Sequence, residues 1–348
     1  MDTTQRIVSA LVIGGCGSLG HRVVERLLKL EPPPQVSVFD LNTTQNRLPS
    51  VEYYDVDISD RYQVYSALSK VRPQVIFHTA SPPPGLLDLP LYMKELGTKA
   101  FVYTSSASVV HDSVSDLIEG DDSLPLVYLP VQQEIYSHSK AVADQLVLDS
   151  NSTTEGGMLT TSIRPSGIFG ENDATAKGFV DTAAAGKLKF QIGNGNNLFD
   201  WTYNENLVDA HILAAQALLK SHIEPPSADM RVAGEGFLIS NDEHMPFWEF
   251  ARAIGDAAGH PTRKEDVRVI PKIVGLAMAT IAEWVVWITS FGRKKSRMNR
   301  IGIRYSCMTR TYRIDKAKRR LGYKPRVSLR EAIQRAGKSF SNELKKTK

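Results

Sequence analysis

The segment Gly14-Gly15-Cys16-Gly17-Ser18-Leu19-Gly20 constrains this chain more than any other. It follows an apolar run of strand length, Ile7 to Ile13, and opens an amphipathic stretch, Leu19 to Leu30, so the glycines fall at a strand-to-helix turn. Such a turn leaves backbone N–H groups bare at a helix N-terminus, where a pyrophosphate can approach. A second strand-like run, Val36-Ser37-Val38-Phe39-Asp40, ends in an acid. That acid lies about 20 residues beyond Gly20, where a carboxylate can take both hydroxyls of an adenosine ribose. The chain is therefore expected to open with a dinucleotide-binding unit that uses Gly14, Gly17, Ser18, Leu19, Gly20 and Asp40.

Strand signals recur at Val51 to Val56, Val75 to Thr79, Ala100 to Thr104 and Leu159 to Arg164, with helical signals between them. Alternation of this kind predicts a parallel sheet covered on both faces. The expected fold is α/β, a Rossmann-type doubly wound sheet over residues 1–165. A smaller substrate-binding lobe over 166–348 follows, with segments that return to the main sheet at intervals.

Tyr136-Ser137-His138-Ser139-Lys140 sets a phenol and an ammonium four residues apart. On a helix that spacing stacks both on one face, and the cation is expected to lower the phenol's pKa toward the range of a general base. Either motif alone is weak, since a glycine turn can be plain loop chemistry and a Tyr-Lys pair a surface accident. Their order decides, together with a buried-strand pattern that delivers Ser105 and Ser106 to the ligand-binding edge: they point to a nicotinamide-dependent oxidoreductase. His78 reads as a packed or hydrogen-bonded residue rather than a catalyst.

The formal net charge of +4 in 348 residues does not suggest a nucleic-acid partner, and 42% hydrophobic content suffices for a sizeable core. Two cysteines, Cys16 and Cys307, make no disulfide framework, which points to a reducing compartment. No amino-terminal signal is expected, and the eight histidines show no ligand spacing, so no metal site is expected.

The chain resembles the extended short-chain dehydrogenase/reductase superfamily and, within it, the 3β-hydroxysteroid dehydrogenase family, particularly its branch acting on 4α-carboxysterols. The resemblance rests on His78-Thr79-Ala80-Ser81-Pro82, Tyr103 to Val110, Arg164-Pro165-Ser166-Gly167-Ile168-Phe169-Gly170, Gly193 to Tyr203, and Tyr305-Ser306-Cys307-Met308-Thr309-Arg310. It implies NAD, or NADP, as cofactor. Contacts would come from Asp57 and Ile58 at the adenine, and from Thr79, Ala80, Ser81, Tyr136, Lys140, Pro165, Gly167 and Ile168. By the same resemblance Tyr136 is the base, Lys140 its electrostatic support and ribose ligand, and Ser106 the hydroxyl that binds the substrate oxygen, with Ser108 in reserve. The implied substrate is a 3β-hydroxysterol or triterpenoid, a 4α-carboxysterol losing its carboxyl group after oxidation. Three alternatives stand beside it: a 3β-hydroxysteroid dehydrogenase without decarboxylation, a nucleotide-sugar epimerase or dehydratase, and a catalytically impaired variant.

Two features depart from a plain family member. Only residues 83–99 join the fourth and fifth strands, and Pro83, Pro84 and Pro90 leave helix room chiefly from Leu91 to Leu96. The family's long helix, with its proton-relay asparagine and its share of the homodimer interface, is expected to be largely missing, leaving the neighbouring sheet face undercovered. Residues 273–292 are largely apolar with Glu283 as their one ionisable group, carry two tryptophans and precede Arg293, Lys294, Lys295, Arg297 and Arg300. They suit a membrane surface, here the cytosolic face of the endoplasmic reticulum, to which Lys345-Lys346-Thr347-Lys348 adds a dilysine retrieval pattern. A buried helix in a cytoplasmic enzyme and a solvated tail are the alternative readings.

Overall fold

The computed structural model describes residues 6–81 and 96–346. β1 (Ser9–Ile13) runs into α1 (Ser18–Leu28), whose Gly20, Val23, Val24 and Leu27 form one buried stripe at helical spacing. Then come β2 (Gln35–Asp40), β3 (Val51–Asp55), α2 (Arg61–Val71), β4 (Val75–His78), β5 (Ala100–Thr104), β6 (Leu117–Gly120), α3 (Ile135–Asp149) and β7 (Leu159–Pro165). The second half contributes β8 (Gly167–Phe169), α4 (Ala174–Ala184), β9 (Phe190–Ile192), β10 (Leu198–Tyr203), α5 (Asn204–Ser221), β11 (Glu235–Ile239) and β12 (His244–Pro246). It ends with α6 (Phe247–Ala257), β13 (Arg268–Ile270), α7 (Lys272–Thr289), α8 (Arg300–Tyr305), β14 (Arg310–Tyr312), α9 (Asp315–Leu321) and α10 (Leu329–Lys346).

Seven strands make one parallel sheet in the order β11-β7-β5-β4-β1-β2-β3. The reversal of direction beside β1 is the switch point at which such sheets bind ligands. Register sets the edge: Ile13 lies opposite both Phe39 and His78, His78 opposite Tyr103, and Thr104 opposite Ile163, so the carboxyl ends finish nearly level. One face packs on α1 and α5 through Val12, Val38, Phe77 and Val102. The other packs on α2 and α3 through Leu11, Ile13, Phe39, Ile76 and Phe101.

The crossover segment with Leu91–Leu96 falls mostly outside the described residues. The sheet beside it is nevertheless covered, contrary to the expectation of an exposed strip. Ile76, Phe101 and Tyr103 are at most 4% exposed because Val64 and Leu68 of α2, Val147 of α3 and Met158 close over them. The smaller lobe has a sheet of its own, which the sequence does not signal. Residues 117–312 supply a separate mixed sheet, β12-β10-β14-β6 with β8 beside β10, while β11 returns to the main sheet.

α3 is fixed to β7 by Asp144, which is fully buried. It accepts from Arg164 Nη2 at 2.7 Å and Nε at 3.0 Å, and from Ser162 Oγ at 2.7 Å. Removing one partner of a buried pair strands the other charge, so Asp144→Ala is expected to cost about 3 to 5 kcal/mol. Urea unfolding with an unchanged m-value would show it, whereas a loss below about 1 kcal/mol would mean that Arg164 finds water or another acceptor.

Candidate active site

At the carboxyl edge of β1 the backbone turns sharply, with Gly14 at φ +79° donating its N–H to Phe39 O at 2.8 Å. The crowding there explains the glycines. A Cβ on Gly14 would meet Ala80 N at 2.8 Å, and one on Gly20 would meet Gly14 O at 2.1 Å. Gly17 caps α1 without a side-chain hydrogen bond, and no acidic residue sits in the first turn, where Ser18 and Leu19 begin the helix. This cradle of bare N–H groups at the positive end of a helix fits a diphosphate. Asp40 stands at its mouth, accepting from Cys16 N at 3.0 Å and Leu41 N at 2.8 Å. Arg47 is stacked over the Tyr53 ring, 4.6 Å from its centroid.

Asp57 and Ile58 follow β3 on the same edge. Asp57 accepts from the N–H and hydroxyl of Ser59, which holds its carboxyl below the usual range. Thr79 turns its hydroxyl back into the protein, donating to Ile13 O at 2.8 Å and pinning the glycine turn, and Ala80 packs against that turn. Pro165 ends β7, and Gly167 and Ile168 open β8 against Trp201 and Thr202. The expected contact positions are thus gathered along one rim.

Tyr136 and Lys140 occupy one face of α3, as their spacing predicted. The residue Tyr136 is 55% exposed, but its hydroxyl is turned toward Ser81, Glu134 and Tyr305. Its pKa is raised, not lowered. Burial is the main cause, Ser81 opposes it by hydrogen bonding, and Tyr305 and Glu134 add to it. Lys140 does not counter this because its charge is engaged elsewhere: Nζ donates to Thr104 O at 2.9 Å and lies 4.9 Å from the Tyr103 ring centroid. Burial pushes Lys140 down to about 8, with Asp144 opposing. His78 is buried edge-on to Phe101 and Tyr103, its pKa pushed down to about 3 by desolvation, a packed neutral imidazole as expected.

Ser106 caps a short 3₁₀ turn, accepting from Ser108 N at 3.2 Å and Ser108 Oγ at 2.8 Å. Both bonds use its lone pairs and leave its own proton to donate. Ser105 is buried beside it with an unpartnered hydroxyl among the described residues. These serines and Tyr136 open onto a cavity of about 370 Å³ whose other walls include Ile168, Phe179, Phe199, Trp201, Phe247, Tyr305 and Arg310. Arg310 carries no sequence signal for a place at this cavity, because spacing along one strand cannot show that β14 brings it here. The same holds for Tyr305. The arrangement joins a phenol, hydroxyl donors and a guanidinium within aromatic walls, beside a cofactor-sized cradle.

The chain matches the 3-beta hydroxysteroid dehydrogenase/isomerase family over residues 11–84 and 92–269. It belongs to that family. Among the family's curated proteins it is similar to sterol-4-alpha-carboxylate 3-dehydrogenase, decarboxylating, of Saccharomyces cerevisiae. The two are 32% identical over 95% of this chain and 97% of the yeast protein. It is 34% identical to the Mus musculus protein of the same description, over 97% of this chain and 92% of that one. Solved structures place the fold more widely. UDP-glucose 4-epimerase of Thermus thermophilus, in complex with NAD, aligns with TM-score 0.68 at 18% identity over 96% of this chain and 99% of that one. Epimerase Mth375 of Methanothermobacter thermautotrophicus aligns with TM-score 0.69 at 19% identity over 99% and 96%.

Proposed function

We propose that this 3β-hydroxysteroid dehydrogenase family member oxidises the 3β-hydroxyl of a sterol or triterpenoid bearing a 4α-carboxyl group. Residues 1–165 chiefly hold the cofactor and residues 166–348 chiefly shape the substrate site. The observation that carries the proposal is the cavity, where Tyr136 and Ser106 present hydroxyl groups to a space walled by Phe179, Phe199, Trp201 and Phe247. Apolar aromatic walls suit a fused-ring alcohol better than a nucleotide sugar. The activity for which the relatives are named is one these walls would accommodate.

NAD, held by the glycine turn, Asp40 and the rim residues, supplies the hydride acceptor when bound. Ser106 would donate to the substrate oxygen, Tyr136 would take the hydroxyl proton, and Lys140 would hold the ribose. Oxidation at C3 leaves a β-keto acid. Its C4–carboxyl bond then breaks, the electron pair passing to the C3 oxygen as carbon dioxide leaves, so no metal ligand is needed from the protein. Purified protein incubated with NAD and a 4α-carboxysterol is expected to yield reduced cofactor and carbon dioxide in equal amounts. Reduced cofactor without carbon dioxide would favour the non-decarboxylating alternative.

Asp40 is expected to set cofactor choice, because its carboxylate repels a 2′-phosphate and accepts the free diol. Asp40→Ser should narrow the preference for NAD over NADP by about 10- to 100-fold in Kd, the range for one like-charge contact at a partly wet site. Equal binding of the two cofactors by the unaltered chain would remove Asp40 from that role.

The same reading seats the enzyme on a membrane. α7 is apolar enough to cross a bilayer by length and composition, with mean hydropathy 1.5, yet only Gly275 and Ala279 are buried along it. Ile273, Ile281, Trp284, Trp287, Ile288 and Phe291 are 57–90% exposed, which argues against the buried-helix alternative. Glu283, the one acid within α7, turns aside to Arg300, accepting from its Nε at 2.7 Å and its N–H at 2.7 Å. With one stripe docked on the protein, α7 is placed to lie in the interface plane rather than to span. The endoplasmic-reticulum surface is the location this supports.

A further inference from the structure

We infer that Arg310 is the anchor for the carboxylate of the substrate, and hence the residue that distinguishes a carboxysterol from a neutral sterol. The inference rests on the activity proposed above. Arg310 lies on β14, is 6% exposed and lines the cavity shared by Tyr136 and Ser106. A guanidinium is charged at any working pH, and burying one is costly unless an opposite charge meets it. Among the described residues Arg310 makes no ion pair. Nε donates to the Tyr312 hydroxyl at 2.7 Å, and the guanidinium lies over the rings of Tyr305 at 5.2 Å, Phe199 at 5.7 Å and Tyr312 at 5.8 Å.

The contrast with the rest of the protein is informative. The other well-buried arginine, Arg164, is matched by Asp144. The nearby acids are occupied with other partners: Asp200 with His244 and the Tyr312 N–H, and Glu134 with the hydroxyl groups of Ser137 and Tyr305. The aromatic rings hold the guanidinium in place without neutralising it. What remains is an uncompensated positive charge in an apolar cavity, presented beside the reacting hydroxyls. A substrate carrying its alcohol and its carboxylate on adjacent ring carbons satisfies both at once. The guanidinium fork fits a carboxylate in two parallel hydrogen bonds.

The test compares ligands within each protein, so that a general loss of structure cancels. A 4α-carboxysterol and its methyl ester are assayed for kcat/KM with NAD, and 3-deoxy analogues of both for Kd. The unaltered enzyme is expected to favour the free acid by about 100-fold, the range for a desolvated charge pair. In Arg310→Met that ratio should fall to near unity, whatever the absolute rate, and Arg310→Lys should recover part of it. If the variants do not fold, the unaltered protein still decides: equal affinity for acid and ester overturns the proposal. A ratio unchanged in Arg310→Met overturns it as well. Turnover of a UDP-sugar with neither sterol used would instead overturn the proposed function on which it stands.

Discussion

Tyr136→Phe is expected to lower kcat by about 10² to 10⁴ while leaving the Kd for NAD within a few-fold, because it removes one oxygen and little volume. The structure sharpens the reason. In this fold the Tyr136 hydroxyl is held above its ordinary pKa, chiefly by burial, so forming the phenolate that acts as base depends on added positive charge and on donors such as Ser81. Lys140→Met should therefore damage both rate and cofactor affinity, since Lys140 also bonds Thr104 O and packs on Tyr103. Steady-state kinetics and cofactor titration on the two variants separate these effects. More than a few per cent of residual activity in the phenylalanine variant would assign the base elsewhere.

Replacing Arg293, Lys294, Lys295 and Arg297 together with glutamine is expected to release the protein from anionic vesicles. Each cation near such a surface contributes about 1 kcal/mol, so the four are worth about 10³ in partition. All four are exposed in the structure, whereas Arg300, spent on Glu283, is left unaltered in this test. Co-sedimentation with phosphatidylserine vesicles at low salt measures the shift. Full recovery of the unaltered chain in the supernatant would refute the membrane reading and leave α7 a surface for another protein.

Much of the first half of the fold was legible in the order of residues. The glycine turn, Asp40 and the Tyr136–Lys140 pair each couple a local spacing to a local shape, and local shape is what a sequence encodes most directly. The level carboxyl edge follows from strands that alternate with helices. The direction of the Tyr136 pKa was not legible, because it depends on where Lys140 points and on burial by segments far along the chain. The same holds for β6. Leu117-Ile118-Glu119-Gly120 is too short to signal a strand and forms one only because Arg310 and Tyr312 pair with it. Arg310 itself is silent in one dimension: a basic residue among tyrosines becomes a site only when folding brings Phe199 and Ser106 to the same cavity. The coverage of β4 and β5 was not legible either, because it depends on side chains of α2 and α3, far apart in the chain, packing over one face.

α8 has six residues and two very different ends. Arg300 at its start holds Glu283 of the exposed apolar helix, and Tyr305 at its close forms part of the cavity wall. A single short helix thus separates the exposed apolar surface of α7 from the cavity. A sterol held in a bilayer has almost no presence in bulk water, so on the proposed membrane seating the enzyme would meet its substrate in two dimensions. Its rate would then follow the mole fraction of sterol in the membrane rather than moles per litre of suspension, and diluting the bilayer with inert lipid would slow it at constant total substrate.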